Sequence, residues 1–201
     1  MSLAQHRSES NEHYTPRPIV EAARGVLGVI DFDPFSCATA NQVVQARAFC
    51  ALPLDGFACD WSLEGQPTRA FVNPPGGKLD RKTLKPTKAG GKNSYSSAAV
   101  AWAKLMHEYE TGNVSAAVFI GFNLEVLRTS QGWKDQGIPG AGSFPLCFPD
   151  ERLNFWSECT AEDDSDPTCA NVIVYVPPKG EHEERAIAFR DWFEPFGTVR
   201  V

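Results

Sequence analysis

Asn73, Pro74 and Pro75 follow the apolar run Arg69–Val72 (RAFV) and are the residues best suited to chemistry. Two adjacent prolines hold the backbone rigid and have no N–H groups. A short amide side chain beside a fixed carbonyl oxygen offers two acceptors. Together they can hold an exocyclic amino group and localise its lone pair. The same tripeptide can equally do no more than end a strand. Position favours chemistry, because open α/β sheets bind ligands outside the carboxyl ends of their strands. A Pro-Pro pair alone carries little, and Pro177-Pro178 is a second one.

Three further groups can serve a ligand. Asp33-Pro34-Phe35-Ser36 follows the short apolar run VIDFD. A carboxylate there can meet an amine or a ribose hydroxyl, or it can simply shape a turn. Tyr14-Thr15-Pro16 opens a helix, whose N-terminus offers free N–H groups to a carboxylate. Asp55-Gly56-Phe57 sets an acceptor beside an aromatic ring, a combination suited to adenine. Each of the last two can also be plain capping or turn structure. No G-x-G-x-x-G follows the first strand and no G-x-x-x-x-G-K-[ST] occurs, which argues against dinucleotide and nucleoside triphosphate sites.

The elements that must position these groups are legible from periodicity. Helices are expected at 16–27, with Thr15 as its cap, and at 38–45, 96–110, 124–130 and 182–193. Strands are expected at 29–33, 48–50, 69–72, 116–122, 152–156, 171–176 and 198–201. Alternation of helices with mostly apolar strands predicts an α/β fold, a mostly parallel sheet with helices on both faces. Strands crowd together late in the chain, so an antiparallel pair at one edge is expected as well. No repeat is visible, and 201 residues fit a single domain.

Composition is that of an ordinary globular protein, with 42% hydrophobic and 22% charged residues and a net charge of −6. The positive charge is concentrated. Residues 78–92 hold six basic residues (Lys78, Arg81, Lys82, Lys85, Lys88, Lys92) and one acid, whereas the rest of the chain holds thirteen basic and twenty-four acidic residues. With its Gly and Pro punctuation, 76–95 is expected to be a mobile basic loop. It is either a solvated surface segment or an arm that contacts phosphates. Residues 158–169 read as an acidic loop. The six cysteines form no C-x-x-C pair and the four histidines are scattered, so no metal site is expected. Reduced thiols, the lack of a long apolar run and a polar N-terminus predict a cytoplasmic protein with no membrane segment.

The order Tyr-Thr-Pro, LGVIDFDPFSCATAN, a DGF segment with Trp61, and a strand ending in Asn-Pro-Pro resembles the phage Dam-like N-6-adenine DNA methyltransferase family. AWAKLMHEYETGNVSAAVFIGFN and FPLCFPDERLNFW resemble later blocks of that family, so the resemblance spans about residues 11–177. It implies a Rossmann-like fold, S-adenosylmethionine as cofactor, and DNA as partner in the cytoplasm of a bacterial or phage-infected host cell. Thr15 and Pro16, with Tyr14, match the N-terminal cofactor motif. Asp33, Pro34 and Ser36 match the first-strand motif, Asp55 and Phe57 fit the adenine pocket, and Asn73, Pro74 and Pro75 match the amino-group clamp. Such an enzyme flips its target adenine out of the duplex. Two departures stand out. Gly76 and Gly77 follow the clamp where the family has an aromatic residue, leaving Tyr95, Trp102, Phe122 or Phe144 to stack on the base. No acid ends the second strand to hold the ribose, where Asn41 is the substitute. A cytosine-N4 methyltransferase of the same fold, or an inactive DNA-binding or protein-binding descendant, fits the same residues.

Overall fold

A computed structural model of the chain describes residues 14–51, 55–83, 85–88, 93–156 and 170–201. The acidic segment 158–169 and Lys92 lie outside them. The helices are α1 (Arg17–Leu27), α2 (Ala38–Val44), α3 (Ser97–Thr111), α4 (Glu125–Ser130) and α5 (His182–Phe193). Strands β1 (Phe32–Asp33), β2 (Ala48–Phe49), β3 (Thr68–Val72), β6 (Val114–Gly121), β7 (Leu146–Pro149), β8 (Val172–Val176) and β9 (Gly197–Arg200) make one seven-stranded sheet. Strands β4 (Lys78–Asp80) and β5 (Ser94–Ser96) make a separate two-stranded ribbon.

The sheet order is β2-β1-β3-β6-β8-β7-β9. Pairings β2-β1, β1-β3 and β3-β6 are parallel, and β6-β8, β8-β7 and β7-β9 are antiparallel. The sheet is therefore mixed, with a larger antiparallel half than the single edge pair expected from the sequence. Interleaving is the cause. β6 and β7 run in the same direction but leave a gap that β8 fills. β8 and β9 also run in the same direction, joined through α5, with β7 between them. Alternation along the chain sets strand direction but not which later strand enters a gap.

Period-2 alternation divides the sheet between two cores. Phe71, Val118, Ile120, Ile173 and Tyr175 face α1, α2 and α5. Ala70, Val72, Phe119, Val172 and Val174 face α3, where Trp102, Leu105, Met106 and Tyr109 are buried. At about 25 cal/mol per Å2 of apolar surface, these two layers supply most of the driving force. α1 lies close to α5 because Gly25 has no side chain: a Cβ there would come within 2.3 Å of the Trp192 ring. Among the described residues no helix is long and apolar enough to cross a membrane.

The strand expected at Arg152–Trp156 is not present. That segment is irregular, and only Trp156 forms a bridge, to Tyr14. The N–H of Leu153 donates to the Asn171 side chain at 2.9 Å instead of joining a ladder. The neighbouring Leu146–Pro149 takes the place, with the fully buried Cys147 between β8 and β9.

Candidate functional site

After β1 the chain moves to β2 on one side, then returns to β3 on the other. This reversal creates a crevice outside the carboxyl ends of β1 and β3, the place where such sheets bind ligands. A cleft of about 530 Å3 opens there. Asp33, Pro34 and Ser36 line it from the end of β1, and Asn73, Pro74 and Pro75 from the end of β3. Tyr14 and Thr15 enter from ahead of α1, and Asp55 and Phe57 from the loop after β2. Residues as distant in sequence as Tyr14 and Pro75 thus share one cavity.

Asp33 is 2% exposed. Burial pushes its carboxyl up to about 7, against the pull of the Phe35 N–H, which donates to it at 3.1 Å, and of the nearby Ser36 hydroxyl. Among the described residues no cation pairs with it. Asp31, two residues earlier, has the opposite fate. Burial raises its pKa too, but the guanidinium of Arg69 at 2.8 Å and that of Arg47 at 3.2 Å hold it below the usual carboxylate range.

The helix start differs from expectation. Pro16 is the N-cap of α1 and no side chain caps it. Among the described residues Thr15 Oγ1 is buried without a hydrogen-bond partner, and Ser36 Oγ, though close to Asp33, also makes no well-formed bond. Both hydroxyls belong to residues that line the cleft. Pro16 and Asn41 do not line it. The Asn41 amide is occupied by its own turn: Oδ1 accepts from the N–H of Ala46 at 2.8 Å, and Nδ2 donates to the Ala46 carbonyl at 3.3 Å. That closes the turn in which Gln45 takes a left-handed conformation.

The Asp55-Gly56-Phe57 turn is pressed against the Asp33-Pro34 turn. A Cβ on Gly56 would fall 1.9 Å from the Pro34 carbonyl oxygen, so only glycine fits. The Gly56 carbonyl accepts the indole N–H of the fully buried Trp61 at 2.9 Å. Asp55 Oδ1 accepts the N–H of Phe57 at 2.9 Å, and the Phe57 ring lies 4.7 Å from Phe35.

The Asn-Pro-Pro step is held from α3. The Ser97 hydroxyl donates to the Pro75 carbonyl, and the Ser97 N–H donates to the Gly77 carbonyl at 3.2 Å. Gly77 turns the chain at φ 96°, and among the described residues neither it nor Gly76 has a neighbour within 4 Å of a Cβ position. The region beyond, expected from the sequence as a mobile basic loop at 76–95 without strand periodicity, does contain strands. Its described ends pair as β4 and β5, with Leu79 buried and bridged to Pro86. Asp80 organises the turn by accepting from the N–H groups of Lys82 and Thr83, both at 2.9 Å. Lys78 lines the cleft, while Arg81, Lys82, Lys85 and Lys88 are exposed on the ribbon. Arg81 donates to the Tyr95 hydroxyl at 2.7 Å, its guanidinium 4.3 Å over the Tyr95 ring.

Of the four aromatic candidates, only Phe122 lines the cleft. Trp102 is fully buried between Phe119 and Phe144, and Tyr95 sits between Arg81 and Trp133. Phe35, Cys50, Leu79 and Pro86 also line the cleft and were not among the expected site residues. Phe35 stood inside a motif already singled out. The other three carry no local signal.

No family profile and no curated protein matches the chain. A crystal structure from Listeria monocytogenes, described as a proposed class I S-adenosylmethionine-dependent methyltransferase, matches it with a TM-score of 0.50. The match covers 94% of this chain and 74% of that one at 13% identity. The chain has the Rossmann-like α/β fold of that class.

Proposed function

We propose that the chain is an S-adenosylmethionine-dependent methyltransferase that modifies an exocyclic amine, with the N6 group of adenine in DNA as its substrate. The observation that carries this reading is one cavity shared by the Asn73-Pro74-Pro75 clamp and the buried carboxylate of Asp33. The donor set fits the cofactor. Asp33, with no cation paired to it among the described residues, suits an ammonium that would draw off its proton, and the Thr15 and Ser36 hydroxyls suit a carboxylate or amine. Phe35 and Phe57 provide an apolar wall beside Asp55 for a purine. Bound there, S-adenosylmethionine would supply an electrophilic methyl group.

The residues of this chain then have distinct tasks. The Asn73 side-chain oxygen and a carbonyl of the Pro74-Pro75 step accept the two N–H bonds of the target amine. That withdraws the nitrogen lone pair from the ring and aims it into the cleft. Ser97 holds the step rigid from below, so the acceptors need no reorganisation as charge develops on nitrogen. Holding both reactants in attack geometry supplies much of the rate. Phe122, which lines the cleft, is our candidate to stack on the base, since Gly76 and Gly77 supply no ring.

DNA as the substrate rests on the motif order shared with the Dam-like family and on the basic ribbon beside the clamp. Cytosine-N4 methylation needs the same clamp and remains the neighbouring reading. The deciding assay incubates the chain with tritiated S-adenosylmethionine and unmodified DNA, then separates the nucleosides. Label in N6-methyl-2′-deoxyadenosine is the expected result. Label in N4-methyl-2′-deoxycytidine would move the substrate, and no incorporation together with no cofactor binding would support the inactive DNA-binding or protein-binding descendant.

A further inference from the structure

Cys50, which lines the cleft, brings its sulfur to 3.0 Å from that of Cys59. The chain between them carries Asp55, Gly56 and Phe57. Cys50 is buried and fixed on both sides by the β1 turn. Its N–H donates to the Asp33 carbonyl at 3.0 Å, and its carbonyl accepts from the Ser36 N–H at 3.1 Å. Cys59 is half-buried behind the Asp55–Phe57 turn, its N–H donating to the Asp55 carbonyl at 3.1 Å. A disulfide requires a sulfur separation of about 2.05 Å, so the two need to close by only about 1 Å.

We propose that Cys50 and Cys59 form a reversible disulfide that staples the Asp55–Phe57 wall of the cleft to the Asp33–Ser36 turn. The reaction needs a low-molecular-weight disulfide as oxidant. The more accessible Cys59 attacks one of its sulfurs, forming a mixed disulfide and releasing one small thiol. Cys50 then attacks the Cys59 sulfur, the Cys50–Cys59 bond forms, and the second small thiol leaves with the Cys50 proton. Two protein thiols are oxidised and one small disulfide is reduced to two thiols. Burial, with Cys59 and the carboxylates of Asp33 and Asp55 nearby, pushes the Cys50 thiol up to about 12, which makes it the second rather than the first to react.

The other described thiols are placed differently. Cys37 donates to the Tyr14 hydroxyl at 3.2 Å. Cys147 is fully buried in the sheet, its sulfur 3.6 Å from the Phe193 carbonyl. Neither has another described sulfur in contact.

The test incubates the full chain with graded ratios of oxidised and reduced glutathione, alkylates the remaining thiols, and maps the peptides by mass. The expected product is a linked peptide pair containing Cys50 and Cys59, reversed by dithiothreitol, lost in Cys59→Ser and retained in Cys37→Ser. Alkylation of both cysteines under excess oxidised glutathione would overturn the proposal, as would a bridge found only at Cys159 or Cys169. A second readout rests on the cofactor reading: S-adenosylhomocysteine should dissociate at least about threefold more slowly from the oxidised form, because the wall is ordered before binding. Equal dissociation rates from the two forms would overturn the staple. If neither form binds S-adenosylhomocysteine, the cofactor reading fails while the peptide map still decides the disulfide.

Discussion

Replacing Asp33 by Asn should stabilise the ligand-free protein at alkaline pH and weaken the S-adenosylmethionine binding we propose for it. Asp33 is buried and its carboxyl stands at about 7 in the folded chain, against an ordinary 3.8. Between those two values the folded state holds a proton that the unfolded state has released. Stability from this group is therefore fully present below about 3.8, falls as pH rises, and is lost above about 7. At about 1.4 kcal/mol per pH unit the whole window corresponds to roughly 4 kcal/mol, and the part between pH 5 and pH 8 to roughly 2–3 kcal/mol. An Asn side-chain oxygen can still accept the Phe35 N–H, so the turn is kept. Urea denaturation of wild type and Asp33→Asn at pH 5 and pH 8 measures the difference directly. The stability advantage of the variant should grow by those roughly 2–3 kcal/mol from pH 5 to pH 8. A difference that does not change with pH would refute the argument, because Asp33 would then titrate like an exposed carboxylate. A cationic ligand amine should draw Asp33 back to its ionised form, so wild-type affinity for S-adenosylmethionine should rise with pH up to about 7 and then level off.

The remaining predictions concern the clamp, the cleft wall and the ribbon. Asn73→Ala should lower methyl transfer at least about a hundredfold while cofactor affinity stays near wild type; near-normal turnover would leave Asn-Pro-Pro as a strand terminator only. Gly56→Ala forces a methyl group against the Pro34 carbonyl; it should cost about 1–3 kcal/mol in thermal unfolding and weaken cofactor binding, whereas an unchanged melting curve would contradict the close approach. Replacing Lys82, Lys85 and Lys88 together by Ala should flatten the log–log salt dependence of DNA binding by about three and leave cofactor affinity alone; an unchanged slope would remove the ribbon from the DNA interface.

Much of the fold was legible because it rests on strong local periodicity. Helix α5 lies at the expected 182–193, and α1, α2, α3 and α4 start and end within about two residues of expectation. The apolar run of β6 reads as a strand buried on both faces, and all but one of its residues are buried. Two readings failed where local pattern competes with pairing. Arg152–Trp156 has strand-like composition, but its partners are a side-chain amide and a single bridge. The basic segment has no periodicity, yet Leu79 finds a buried place and Asp80 closes a turn, so its ends pair as a ribbon.

The site divides along the same line. Asp33 and Asn73 were legible because each ends a strand next to proline, a local signal, and the topology then brings both ends to one crevice. What closes the crevice was not legible, since it depends on contacts between distant segments. Gly56 matters only because Pro34 lies against it, and Cys50 only because Cys59 does. Ser97 reaches Pro75 across 22 positions of sequence. Asn41 shows the converse. Its residue type suited a ribose, but a turn five residues away claims both ends of its amide, and the local bonds prevail.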